Sequence, residues 1–327
     1  MALRRAYLRE MRYLWAGCII SHHLHLYQPS MIQIQEHVIR SAVATSARFS
    51  ILIPTWNNLP YLQLCIAAIR HHSSFRHQII VHINEGRDGS LEWVKQQKDI
   101  DYTYSPQNIG VCYALNAARR LVQTDYIVYL NDDMYVCPEW DAVLWQEIQQ
   151  IGHPYFFLSA TAIEPVASSP CAIEANFGSS PNDFQEETLL STCHQFEKAD
   201  WWGATWPPNI VHRDIWDLVG GYSIEFSPGM YSDPDFSMKL WQAGIRYFKG
   251  LSASRVYHFG SKSTGRIRKN KGYYTFIRKW GMTSSTFTRY YLRRGEPFKG
   301  VLQDPHIPAG IQWKNMWKKM LASWYKA

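Results

Sequence analysis

A chain of 327 residues that is 46% hydrophobic and 19% charged can bury a sizeable core, which excludes a disordered or fibrous polypeptide. Its six cysteines follow no CxxC or other metal spacing, so a zinc module is not expected, and no apolar run is long enough to span a bilayer. The net charge of +7, with Lys and Arg gathered after Arg255, favours anionic partners: phosphorylated small molecules, anionic lipid or nucleic acid.

Residues 1–47 carry no repeat and no strong period. Tyr13 to Ile20 is apolar, short and preceded by Arg4, Arg5, Arg9 and Arg12, but no small-residue cleavage site follows. His22, His23 and His25 read as a solvated cluster rather than a metal site. From Phe49 the pattern changes. Phe49–Pro54 is an apolar strand that the proline is expected to stop, Thr55–Asn58 a polar loop, and Leu62, Ile66 and Ile69 mark a helix. Gln78–Ile83 predicts a second strand ending in Asn84–Ser90, then a helix from Leu91 to about Gln97. Asp101–Ser105 predicts a third strand, and Gln107–Gly110 opens a helix through Leu121. Ile127–Leu130 is a strand that ends in Asn131, Asp132 and Asp133.

Strand, loop and helix alternating with short links predict an α/β fold with a mostly parallel sheet flanked by helices. In such a sheet the polar strand ends share one edge, where ligands bind. Four of them converge there: Thr55–Asn58, Asn84–Ser90, Gln107–Gly110 and Asn131–Asp133. Asn and Glu side chains suit a nucleobase or ribose, glycine admits close backbone approach, and paired carboxylates suit a hard divalent cation. The sequence has no GxGxxG after the first strand and no GxxxxGK[ST], so dinucleotide and P-loop folds lack their specific support.

Downstream, a helix from Trp140 to Gln150 and a strand from Tyr155 to Ala162 precede a Ser-, Pro- and Asn-rich insertion over residues 164–198. Ile210–Arg213 predicts a strand, Asp214–Val219 a helix ended by Gly220-Gly221-Tyr222. Ser232 or Asp233 stands where an N-cap belongs, with Pro234 at the first helical position. Tyr247–Val256 is expected to return to the sheet, with His258 at its end.

From Phe49 to Gly281 the ordered features resemble the family 2 glycosyltransferases. The marks are Ile53-Pro54-Thr55-Trp56-Asn57, Asp88-Gly89-Ser90, Asn108-Ile109-Gly110 with Asn116, and Leu130-Asn131-Asp132-Asp133 with Pro138. Gly220-Gly221-Tyr222, Ser232-Asp233-Pro234-Asp235, and His258 with Gly260 and Ser263 complete the set. The resemblance implies a GT-A fold, with a Rossmann-like nucleotide-binding half and an acceptor half, and a metal-dependent, inverting sugar transfer from a nucleotide-diphosphate donor. It implies Asp133 and His258 at a Mn²⁺ or Mg²⁺ ion, and Asp132 at the ribose or diphosphate. Thr55 and Asn57 would lie near the nucleoside, and Glu85 or Asn84 near the base, with Asp88, Asn108, Gly110 and Asn116 in the same donor-binding set. Asp233 would be the general base. Asn131 and Ser232 depart from the family pattern, standing where relatives carry acids.

The implied organisation is an extension over 1–47, a catalytic domain over 48–265 divided at 138/139, and a basic, aromatic-rich helical region over 266–327. UDP-, GDP- and dTDP-sugars are the donor candidates; the acceptor hydroxyl belongs to a glycan, a lipid-linked or a protein-linked chain, as in polysaccharide biosynthesis. No specific nucleic-acid partner is expected. Trp313, Met316, Trp317, Met320, Leu321 and Trp324 recur at helical spacing with lysines between them. Packing on the catalytic domain is the expected use of that face, and peripheral contact at the inner face of a membrane the alternative, for an otherwise cytoplasmic protein. A nucleotidyltransferase, or a carbohydrate- or nucleic-acid-binding protein without catalysis, are the rival readings; the first lacks its glycine- and basic-rich loop after the first strand.

Overall fold

The computed structural model describes residues 32–38, 46–260 and 271–324, and the chain from Gln33 onward forms one compact unit. The histidine cluster, the arginine-rich start, Ser263, and Arg266, Arg268 and Lys269 lie outside the described residues.

One eleven-stranded sheet organises the molecule. Its strands are β1 (Gln35–His37), β2 (Ser50–Trp56), β3 (Gln78–Asn84), β4 (Ile100–Ser105), β5 (Tyr126–Tyr129) and β6 (Met134–Val136). They continue with β7 (Phe156–Glu164), β8 (Ile173–Glu174), β9 (Trp201–Trp202), β10 (Asn209–His212) and β11 (Tyr247–His258). The order is β1-β4-β3-β2-β5-β10-β7-β11-β6, with β8 beside β7 and β9 beside β11. From β4 to β5 neighbours run parallel; β10 then enters antiparallel between β5 and β7, and β7 and β11 are parallel again.

The parallel half follows from its composition. All seven residues of β3 are buried, as expected for a strand covered on both faces. Alternation along β2 sends Ile51 and Ile53 into one apolar cluster and Leu52 into the other. The first cluster is closed by α1 (Leu59–His72) and α4 (Trp140–Ile151), the second by α3 (Gly110–Arg119) and α7 (Ser232–Gln242). On α1 the buried residues include Leu62, Ile66 and Ile69, one helical stripe, and each such side chain contributes roughly 1.5–3 kcal/mol by leaving water. Between α1 and α3 runs α2 (Ser90–Lys95), shorter than the sequence predicted, and α5 (Glu186–Thr192) lies in the insertion. Then come α6 (Arg213–Leu218), α8 (Gly272–Trp280) and α9 (Ala309–Trp324).

Two expectations need correction. Pro54 does not stop β2, which continues to Trp56. Leu52 turns its carbonyl to Leu130 N–H on the β5 side, and Pro54, two residues on, faces the same side beyond the last β2–β5 pair. Its missing N–H therefore costs no ladder bond. At α7 the N-cap is Tyr231, at φ 72°, while Ser232 and Asp233 already lie in the first turn and Pro234 follows them.

A candidate donor and acceptor cavity at the strand ends

The carboxyl ends of the parallel strands open into one cavity of about 620 Å³. Each of the four polar strand ends contributes to its wall: Thr55 and Trp56, Asn84, Asn108 and Gly110, and Asn131 to Asp133. Asp233 and the turn that precedes it also line the cavity, as does His258 at the end of β11.

Asn84 holds three strand ends in register. Its amide donates to Thr55 O at 3.3 Å, and its carbonyl accepts from Ile109 N at 2.9 Å and Ser105 Oγ at 3.4 Å. Thr55 Oγ1 in turn donates to Asp132 Oδ2 at 2.7 Å, fixing that buried carboxylate. Gly110 has φ 78°, and a Cβ there would stand 2.3 Å from Ser227 Oγ and 2.5 Å from Pro228 Cα. Only glycine lets the start of α3 meet the 227–229 turn this closely.

Asp133 and His258 lie together, the imidazole Nε2 standing 3.5 Å from Asp133 Oδ1. The other ring nitrogen, Nδ1, bonds Glu164 Oε1 at 2.8 Å. Burial pulls the His258 pKa down, but the two carboxylates outweigh it and raise it to about 9. Burial likewise pushes Glu164 up, yet its bonds from His258 and Ser168 leave it below the ordinary carboxylate value. Among the described residues no group of three or more His, Cys, Asp or Glu is gathered as a ready cation site. The donor chemistry nonetheless suits a hard divalent ion. Asp133 offers oxygen, His258 offers Nε2, and a carboxylate on the far ring nitrogen is the arrangement that orients metal-binding histidines.

Asp233 sits in the first turn of α7, partly open to the cavity, and Tyr222 Oη donates to its Oδ1 at 3.3 Å. Desolvation raises its pKa to about 7, the Tyr222 bond opposing only in part. Asp235, two residues on, is fully buried and bonded to Ser223 Oγ at 2.6 Å and Trp280 Nε1 at 2.8 Å, with Lys279 Nζ at 2.9 Å. It ties α7 to α8 and does not line the cavity.

Of the remaining sequence-selected residues, Asn57 and Glu85 pair at 3.1 Å beside the cavity, outside its lining. Asp88 caps a loop, accepting from Leu59 N at 2.6 Å and Ser90 N at 3.1 Å. Asn116 also lies outside the lining and bonds both sides of Tyr222's backbone, at 2.7 and 2.9 Å. These two side chains shape the walls by holding backbone. Sequence reasoning missed Glu164, because β7 was expected to end at Ala162. It also passed over the aromatic wall of Trp201 and Trp206, with the Arg294 guanidinium 3.9 Å above the Trp206 ring. The dense Trp content around 201–206, next to a glycine, was the available signal.

A parallel half, an inserted antiparallel strand and polar strand ends around one cavity give the chain a fold similar to that of the GT-A glycosyltransferases. Residues 50–168 match the family model for glycosyl transferase family 2. Among solved structures it is similar to S. aureus TarS 1–349, at 11% identity and a TM-score of 0.53, over 84% of this chain and 71% of that one. TarS 1–349 in complex with UDP-GlcNAc gives 12% identity and 0.52, over 84% and 72%. GalNAc-T7 with UDP, GalNAc and Mn²⁺ gives 14% and 0.50, over 75% and 50%. No curated protein matches by sequence.

Proposed function

We propose that the chain transfers a sugar from a nucleotide-diphosphate donor to an acceptor hydroxyl, with inversion at the anomeric carbon. The observation that carries this reading is the single cavity lined by Asp132, Asp133, His258 and Asp233 together. Its volume of about 620 Å³ suits a ligand of nucleotide-sugar size. UDP or a UDP-sugar in the similar structures favours a UDP-sugar donor here.

Thr55, Asn84 and Asn108 line the half that would take the nucleotide, Asn84 by holding Thr55 and Ile109 in place, while Asn57 and Glu85 pair just beyond it; Asp132 is held ready by Thr55. Asp133 and His258 are the residues that would hold a Mn²⁺ or Mg²⁺ ion, which when bound offsets charge on the departing diphosphate. Asp233 does the proton chemistry. As the acceptor oxygen bonds to the anomeric carbon, the carbon–oxygen bond to the diphosphate breaks and the hydroxyl proton passes to the Asp233 carboxylate. Attack comes from the face opposite the leaving group, so configuration inverts. Trp206, 37% exposed and with Arg294 over one face, offers its ring to a sugar on the acceptor side.

The test is the configuration of the first-formed product. Slow hydrolysis of an α-linked donor, followed by proton NMR before mutarotation, is expected to release the β-sugar. Release of the α-sugar would rule out single displacement with Asp233 as base.

A further inference from the structure

Helix α9 is amphipathic in the reverse sense from a packed surface helix. Its protein-facing stripe is Asn315 and Ala322, both buried, flanked by half-buried Ile311 and Lys318. Asn315 Oδ1 accepts from Thr283 N at 3.3 Å and Thr286 Oγ1 at 3.0 Å, and Lys318 Nζ donates to Tyr273 Oη at 2.6 Å. The large apolar residues point away from the protein. Trp313 is 71% exposed, Met316 62%, Trp317 60%, Met320 47%, Leu321 43% and Trp324 83%. At 3.6 residues per turn these six fall within an arc of about 140° centred opposite Asn315. The expected packing of this face on the catalytic domain is therefore not what the structure has.

The charges around the arc decide what covers it. Lys314 lies at its edge, Lys318 and Lys319 lie towards the protein side, and the helix contains no Asp or Glu. The preceding acid, Asp304, is paired with Arg246 at 3.0 Å. A second copy docked through the same arc would offer no acid of the helix to the Lys314 at its edge. Tryptophan and methionine flanked by lysine is instead the composition of a helix lying in the headgroup layer of an anionic bilayer.

We propose that α9 is a membrane-docking helix, its Trp–Met arc inserted among the headgroups of an anionic bilayer with Lys314, at the edge of the arc, on a lipid phosphate. This goes beyond the transfer chemistry and does not depend on it. The turn that receives Asn315 also supplies Ser284, Ser285 and Thr288 to the cavity wall, so docking places the acceptor side of the cavity near the bilayer surface.

Flotation of the full chain with vesicles of phosphatidylcholine containing phosphatidylglycerol, against pure phosphatidylcholine, tests it. The full chain is expected to float with the anionic vesicles and to be released by salt. The triple change Trp313→Ala, Trp317→Ala, Trp324→Ala, at exposed positions, is expected to lower partitioning at least about tenfold with an unchanged melting temperature. Lys314→Glu, at the edge of the arc, is expected to lower it several-fold at low salt only. Failure of the folded full chain to float at low salt overturns the proposal, as does equal flotation of the Trp variant. A dimer in analytical ultracentrifugation that becomes monomeric in the Trp variant, without vesicle binding, overturns it in favour of a second copy.

Discussion

Replacing Asp233 by Asn separates the catalytic from the structural consequences of one buried carboxyl. Its pKa is raised from 3.8 to about 7, chiefly because ionisation must occur away from bulk water. A shift of roughly three units corresponds to about 4 kcal/mol against the charged form, an upper limit because the carboxyl partly faces the open cavity. The sign is fixed by linkage. A group whose pKa rises on folding stabilises the fold fully below its unfolded value, and that contribution is lost as pH climbs through about 7. Asn stays neutral and escapes the loss. Asp233→Asn is therefore expected to melt at the same temperature as the parent chain or higher at pH 8, with the gain fading by pH 5, while transfer falls about 10²–10⁴-fold through loss of the general base. Differential scanning fluorimetry across pH and coupled detection of released nucleoside diphosphate measure the two arms. Transfer retained within a fewfold moves the base elsewhere. A large loss of melting temperature at pH 8 refutes the account of the buried carboxyl.

Further outcomes follow from the same geometry. Transfer by the parent chain is expected to rise as pH increases through about 7, because the base must be ionised; a profile flat from pH 5 to 9 contradicts this. Glu164→Gln is expected to weaken cation-supported donor binding about 10–100-fold, read by titrating Mn²⁺ against nucleotide binding in a calorimeter. Thr55→Val removes the 2.7 Å bond to Asp132 and is expected to cost about 1.5–3 kcal/mol of donor affinity with little change in fold. Gly110→Ala forces a Cβ to within 2.5 Å of Pro228 Cα at a positive φ, and is expected to lower stability by at least about 2 kcal/mol in urea unfolding.

The parallel half of the sheet was legible because buried strands are apolar throughout and end in polar loops, and that pairing of signals locates a ligand edge without knowledge of contacts. Individual roles at that edge were less legible. Asp88 and Asn116 have the residue types of a binding site, yet they spend their hydrogen bonds on local structure, Asp88 on backbone at 2.6–3.1 Å and the Ser90 hydroxyl, Asn116 on backbone at 2.7–2.9 Å. Asp and Asn serve both uses, and only the fold distinguishes them. Glu164 was missed because a two-residue misjudgement of where β7 ends moves a carboxylate from loop to strand end. On α9 the period revealed an apolar face, but not that Asn315 and Ala322, rather than the tryptophans, meet the protein. A helical period gives the face and leaves its partner open.

The central claim is most directly tested by mixing the full chain with UDP-, GDP- and dTDP-sugars in the presence of Mn²⁺ and following release of the nucleoside diphosphate. The account predicts turnover of at least one donor, strongest in the UDP series, and its collapse in Asp133→Ala. No cleavage or binding of any donor, or undiminished cleavage in Asp133→Ala, would contradict it.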